Sequence, residues 1–293
     1  MVNPIRKKRI KEARWSFAMT TIAILIALII VYPFVNVLAV SFSSSAEVYK
    51  NPMMIWPHGF TLNAYHDLLK NNLIWTGYKN TIITTLVGTV LALILSVLLS
   101  YPLSRKDFRG RKVVSGILIF TMLFNGGLIP NFLLIKNLKL YNTIWALILP
   151  GAVSAYNCIL IRSFFQSIPD SLTEAAAIDG ASDIRILFDI ILPLSKPILA
   201  TITLFTAVGK WNSFFSSIVY TKDRNLWTLQ LVLREMLIAV KQQSQDILDA
   251  SQMVASKSMD YAAIIVATVP ILCIYPFVQK YFISGMTLGA VKE

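Results

Sequence analysis

The chain has 293 residues, 56% of them hydrophobic and only 14% charged. About a quarter of the residues in a soluble domain are charged, so a water-exposed globular fold is excluded. The formal net charge of +12 does not mark a nucleic-acid partner, because the basic residues flank long apolar runs, where lipid headgroups and topology selection require them.

The first predicted element follows a basic tail, residues 1–16, that holds Arg6, Lys7, Lys8, Arg9, Lys11 and Arg14. The apolar run at 17–40 is too long for a signal-peptide core and ends without a small-residue cleavage site, so it reads as a retained helix. A helix that crosses the hydrocarbon core needs about 20 apolar residues. Five further runs meet that length, at 81–103, 113–135, 143–161, 198–220 and 261–282, and none of the six contains an acidic residue. Runs this long exclude barrel strands, and lipid leaves no other way to satisfy the backbone, so the expected fold is all-α and polytopic, with six transmembrane helices. Arg105, Lys106, Arg109, Arg111 and Lys112 follow the second run. Placing them and the basic tail on the same, inner side puts both termini in the cytoplasm. Segments 41–80 and 221–260 then lie outside, and 162–197 lies inside. Cys158 and Cys273 fall inside apolar runs and form neither a disulfide framework nor a zinc spacing.

The internal segment carries the sharpest pattern, SIPDSLTEAAAIDGASDIRILFDIILPLSKP over 167–197. Ser167 or Asp170 suits a helix start, Ala175, Ala176 and Ala177 favour helix, and Gly180 is placed to end it in a left-handed conformation. A second short helix is expected from Asp183 to about Ile191, stopping near Pro193. The three adjacent alanines permit close approach of another surface, and Glu174 and Asp179 offer charge to a basic partner. The alternative is a hairpin lying on the membrane, which Asp170, Glu174, Asp179, Asp183 and Asp189 disfavour because anionic lipid repels acid.

Polar residues inside the runs point to a path. Lys210 lies a little beyond the midplane of the fifth run, followed by Trp211 and Asn212. An intramembrane lysine costs about 2.5–3.5 kcal/mol on insertion scales, so it faces a cavity or a partner, or else snorkels to the outer interface. Trp211 suits either stacking on a sugar ring or interfacial anchoring. Asn125, Gly126, Gly127 and Pro130 interrupt the third run, either beside a water-filled path or for packing alone. Pro270 and Pro276 are expected to bend the sixth. In the outer segment, Leu229, Val232, Leu233, Met236, Leu237 and Val240 form one helix face, offered to a protein partner or packed on the chain itself; residues 56–65 are a second candidate surface.

No G-x-x-x-x-G-K-[ST] phosphate loop occurs, and no catalytic or metal-ligand grouping is present; His58 and His66 read as isolated loop residues. An ion-coupled secondary transporter would want intramembrane carboxylates and an inverted repeat, and the sequence offers neither.

Glu174-Ala175-Ala176, three residues, Gly180, nine residues, Ile190, one residue, then Leu192-Pro193 resembles the EAA motif of ABC-importer permeases at every spacing. The resemblance covers essentially the whole chain. It is to the maltose-type carbohydrate permeases of type I importers, the smaller subunit of the pair. Phe60-Thr61-Leu62-Asn63-Ala64-Tyr65, Asn125-Gly126-Gly127-Leu128-Ile129-Pro130 and Gly285-Met286-Thr287-Leu288-Gly289-Ala290-Val291-Lys292 resemble the branch of lipoprotein-type and complex-polysaccharide permeases that includes an alginate-oligosaccharide importer. That resemblance implies a transport subunit in the bacterial inner membrane with no ATPase site or cofactor of its own. Its partners would be a second permease, an ATPase dimer that binds Mg-ATP, and an extracytoplasmic solute-binding protein. Glu174, Ala175, Ala176, Asp179, Gly180, Leu192 and Pro193 would form the ATPase-coupling element. The implied solute is an oligosaccharide, and Lys210 leans towards an acidic one; a non-sugar solute remains the alternative.

Overall fold

The computed structural model describes residues 4–51, 53–246 and 258–273. Every regular element among these residues is helical, apart from one antiparallel bridge between Ser43 and Phe60. The chain divides into two compact units, residues 1–71 with 235–268, and 72–234 with 269–293.

In the first unit α1 (Pro4–Ser41) runs for 38 residues, and its stretch from Trp15 to Ser41 has a mean hydropathy of 2.7. Phe17, Leu28 and Ile29 are among its many exposed apolar side chains. An apolar helix that turns its side chains outward is built for hydrocarbon as solvent. Among its described side chains only the last turns are buried, where Ala39 and Val40 pack with Val48 of α2 (Ser45–Lys50) and with Met54. Asn36 locks this corner by donating to the Met54 carbonyl at 2.9 Å. The Phe42 ring stacks on Phe60 and on Tyr65 of α3 (Asn63–Leu69), with centroids 5.7 and 4.9 Å apart. Tyr261, near the start of α15 (Ser258–Cys273), completes the cluster.

The second unit is organised on α4 (Asn72–Ser104). Thr84, Gly88, Ala92, Ser96 and Ser100 recur every fourth residue and are all buried. Small residues at this spacing form one groove that lets neighbouring backbones approach, which is how helices associate in lipid. Into it pack α8 (Ala155–Phe165) and α12 (Lys196–Trp211), and Ser100 Oγ donates to the Cys158 carbonyl at 3.0 Å. At the other end of α4 the backbone of Leu229 comes so near Gly77 that a Cβ there would lie 3.0 Å from the Leu229 Cα. Thr81 Oγ1 accepts from the Leu229 amide at 2.8 Å, and Asn80 donates to the carbonyls of Asn225 and Trp227.

Three of the long apolar runs are discontinuous. The third consists of α5 (Arg111–Leu123) and α6 (Leu128–Asn137), whose axes differ by 118°. Gly127 takes φ +87° at the break, and Asn125 Oδ1 accepts from its amide at 2.9 Å and from Asn131 at 3.4 Å. The fourth, read from sequence as one helix, is α7 (Trp145–Ile148) followed by an unwound stretch and then α8. Pro150 has no N–H to continue α7, and Gly151 at φ +71° turns the chain out of it. The fifth splits at Asn212 into α12 and α13 (Phe215–Tyr220). Of the sixth run, residues 274–282 lie outside the described residues, as do Pro276 and the 285–292 tail motif.

Candidate functional site: the hairpin after α8

The EAA segment forms α9 (Asp170–Ile178), a glycine turn, α10 (Asp183–Ile186), a π-helical turn (Leu187–Ile191) and α11 (Leu192–Leu194). Gly180 adopts φ +82°. The amide of Ala181 donates to the Ala176 carbonyl at 2.9 Å and that of Gly180 to Ala177 at 3.1 Å, a Schellman pair that closes α9 as the glycine demands. Neither Ser167 nor Asp170 caps the helix start. Ser167 Oγ donates back to the Phe164 carbonyl, and the Asp170 carboxylate reaches away to Lys106 at 2.7 Å. Ser182 Oγ accepts from the Arg185 amide at 3.4 Å and caps α10. The π turn has a local cause. Pro193 supplies no N–H and its ring crowds the carbonyl four residues earlier, so the helix widens and the Leu192 amide donates five residues back, to Leu187.

One side of the hairpin is fixed to the helix bundle. Ile186, Leu187 and Ile191 share a buried cluster with Val97 and Tyr101 of α4, Ile161 and Phe165 of α8, and Ile202 of α12, with Ala176 and Leu192 packed against it. The other side is open. Glu174, Ala175, Asp179 and Gly180 are exposed, and beside them stand Ile178 at 86% and Ile184 at 71% exposure. Large apolar side chains this bare, set among carboxylates on a short helix, are what a protein contact covers.

Behind α9 lies a cleft of about 210 Å³ lined by Tyr101, Arg105, Lys106, Asp170, Thr173 and Glu174, among others. Lys106 bridges it to Asp170. The bond holds the Asp170 carboxyl below its ordinary value and the Lys106 ammonium above its own. Nothing in the sequence spacing pairs these two residues, so this tie between the basic α4–α5 loop and the start of α9 is visible only in the structure.

The candidate path residues Lys210, Trp211 and Asn212 adjoin in the chain but meet different surroundings. Lys210 Nζ donates to the carbonyls of Leu147 and Ile148 at 3.1 and 3.0 Å, and its stem lies over Gly88, where a Cβ would meet Lys210 Cε at 3.2 Å. Those two carbonyls sit at the α7 break. In a continuing helix Ile148 would accept from the Ala152 amide, which instead donates to Leu149 at 3.0 Å. Lys210 supplies donors that the unwound fourth run has given up. Trp211 is 7% exposed, its ring 6.5 Å from that of Tyr78. Asn212 is exposed, and Asn125 stands exposed at the α5–α6 break. The outer helix α14 (Leu229–Asp246) buries Leu229, Val232 and Leu233 on the chain itself; the side chain of Val240 lies outside the described residues. Met53, Ile55, Trp56 and Phe60 are between 65% and 80% exposed.

Helices that turn apolar surface outward, apolar runs broken where the backbone is repaired internally, and an exposed hairpin rooted in the bundle define an integral membrane component of a transport machine. The chain belongs to the family of the binding-protein-dependent transport system inner membrane component, matched over residues 88–288. It is 41% identical over 271 residues to the polygalacturonan/rhamnogalacturonan transport system permease protein YtcP of Bacillus subtilis, covering 92% of this chain and 95% of that one. It is 40% identical to protein LplC of the same organism, covering 90% of each chain. The arabinooligosaccharides transport system permease protein AraQ of Halalkalibacterium halodurans is 31% identical, covering 91% of this chain and 93% of that one. Among solved structures, one chain of a bacterial ABC transporter involved in the import of the acidic polysaccharide alginate superposes with a TM-score of 0.85 at 34% identity, covering 93% of this chain and 98% of that one. A chain of a bacterial alginate ABC transporter in complex with a pentasaccharide-bound periplasmic protein shares the fold, with a TM-score of 0.55 at 18% identity, covering 94% of this chain and 97% of that one.

Proposed function

We propose that this chain is one of two permease subunits of a binding-protein-dependent importer, that the pair encloses the path of an oligosaccharide, and that ATP hydrolysis in separate subunits drives it. The observation that carries this reading is the exposed acidic and apolar face of α9 on a base packed against α4, α8 and α12. A force applied to α9 reaches those helices through buried contacts rather than through a flexible loop. ATP binding closes the partner ATPase dimer, displaces α9, and tilts the bundle outward; the binding protein unloads, and hydrolysis restores the inward-facing state. Mg-ATP belongs to that partner, and this chain contributes no ATPase site. Six spans with both termini in the cytoplasm put α9 on the ATPase side. The bare apolar loop at Met53, Ile55, Trp56 and Phe60 suits the solute-binding protein better than the α14 face, whose Leu229, Val232 and Leu233 are buried within the chain.

The solute class follows the named relatives, whose names specify polygalacturonan/rhamnogalacturonan, arabinooligosaccharides and alginate. An acidic saccharide draws no support from Lys210, whose ammonium is occupied by two carbonyls. Asn212 and Asn125 remain as path residues, through exposed amides suited to sugar hydroxyls. The test is Glu174→Lys in the reconstituted transporter. The reading expects the complex to insert and assemble while solute-stimulated ATP hydrolysis falls at least tenfold, the effect of placing like charge against a basic docking groove. Unchanged stimulated hydrolysis removes the docking role.

A further inference from the structure

At the C-terminal turn of α8, Arg162 Nη1 donates to Ser115 Oγ of α5 at 3.0 Å, while its Nε is buried without a hydrogen-bond partner. Arg111, the first residue of α5, stands close enough to repel it. Among the described residues no carboxylate pairs with Arg109, Arg111, Lys112 or Arg162, although Arg105 and Lys106 beside them pair with Asp107 and Asp170. A half-buried guanidinium with a second cation beside it and no carboxylate partner is costly unless an anion balances the charge from its open side. Next to it opens a slot of about 90 Å³ lined by Leu103, Leu118, Ile119, Cys158 and Ile159, with Ser115 and Arg162 as its polar lining. On the same helix Val113, Ile117 and Phe120 are exposed apolar side chains.

A soluble anion answers the charge and leaves the slot empty, and an apolar molecule does the reverse. An amphiphile with a phosphate answers both. We infer that the cleft between α5 and α8 binds an anionic phospholipid, its phosphate on Arg162 with Arg111 adjacent and an acyl segment in the slot. The site lies where the inner leaflet's anionic headgroups are, and basic pockets between helices on that side bind such headgroups. This placement rests on the topology proposed above.

The test uses the whole transporter, with its partner subunits, in nanodiscs of phosphatidylglycerol and phosphatidylcholine, released for native mass spectrometry. One phosphatidylglycerol is expected to stay on the wild-type complex for each copy of this chain. Arg162→Gln should lower that occupancy roughly fivefold, the worth of one basic group at an anionic surface. Ile119→Trp, which fills the slot from the exposed side of α5, should lower it too, and decides alone if the arginine variant fails to assemble. Retention in the assembled variants overturns the inference. So does loss of the retained lipid to added inorganic phosphate, which would make this a free-anion site, or a slot covered by the second permease so that no lipid is retained. An impermeant thiol reagent on Arg109→Cys reads the side of the membrane separately, so an error of topology is distinguished from an error about the lipid.

Discussion

Lys210 gives two hydrogen bonds to a backbone that has lost its own, and the chemistry of the lipid interior makes that its main occupation. A carbonyl without a donor costs several kcal/mol in hydrocarbon, and an ammonium costs a similar amount without acceptors, so each cancels the other's penalty. Lys210→Met removes both bonds and leaves the Leu147 and Ile148 carbonyls to find water or to rewind. The expected loss is about 1–3 kcal/mol, read as a lower melting temperature of the purified transporter, with uptake of neutral and acidic oligosaccharides reduced alike. A selective loss of the acidic substrate would return Lys210 to direct solute contact. Gly180 is a second residue whose conformation fixes its identity. Its φ of +82° disfavours any side chain, so Gly180→Ala should cost about 1–2 kcal/mol in closing the hairpin, seen as weaker coupling between transport and hydrolysis at unchanged membrane content. Full coupling in that variant would mean that the turn is not held in this form.

At the scale of elements, the Lys106–Asp170 pair ties the basic loop to the start of α9. Asp170 is depressed, so its contribution is present above the ordinary carboxylate range and is lost as pH falls through the lower folded value. Lys106 is raised, so its share is present below the ordinary lysine value and disappears only as pH climbs through the higher folded one. Between those limits the tie is constant, and coupling efficiency should be flat from about pH 5 to pH 9 as far as this pair is concerned. Both groups are exposed and salt screens them, so Lys106→Ala should change stimulated ATPase by less than about twofold at physiological ionic strength. The exchange Lys106→Asp with Asp170→Lys should restore whatever is lost. A steep change from Lys106→Ala that the exchange leaves uncorrected would show that the loop acts by another contact.

The same scale shows what the sequence can and cannot disclose. The end of α9 at Gly180 is legible, because glycine takes a left-handed turn without steric cost, and so is the interruption of the third run, because Asn125, Gly126 and Gly127 cluster there. The break at Pro150 and Gly151 is hidden by the apolar residues on both sides, which read as one continuous span at the resolution of hydropathy. Trp211 presents the converse problem. Its neighbours in sequence mark it as amphipathic and interfacial, while its burial depends on Tyr78, a residue on another helix that only packing brings near. The α14 face was legible as apolar, yet periodicity alone does not say whether its own chain or another protein covers it.

For the molecule as a whole, family membership and the all-α architecture follow from features that repeat along the chain and tolerate local error. The proposed machine makes one demand above the rest, that α9 be held by a separate motor. Site-directed crosslinking answers this most directly, with Ile178→Cys in the assembled transporter and a short reagent that joins a thiol to a lysine amine. Ile178 is 86% exposed, so the substitution disturbs no packing within the chain. The account predicts a crosslink to the ATPase subunit whose yield changes when ATP is bound and not hydrolysed. An assembled, transporting complex in which this cysteine stays free, or reacts with a reagent confined to the outside of the membrane, would contradict it.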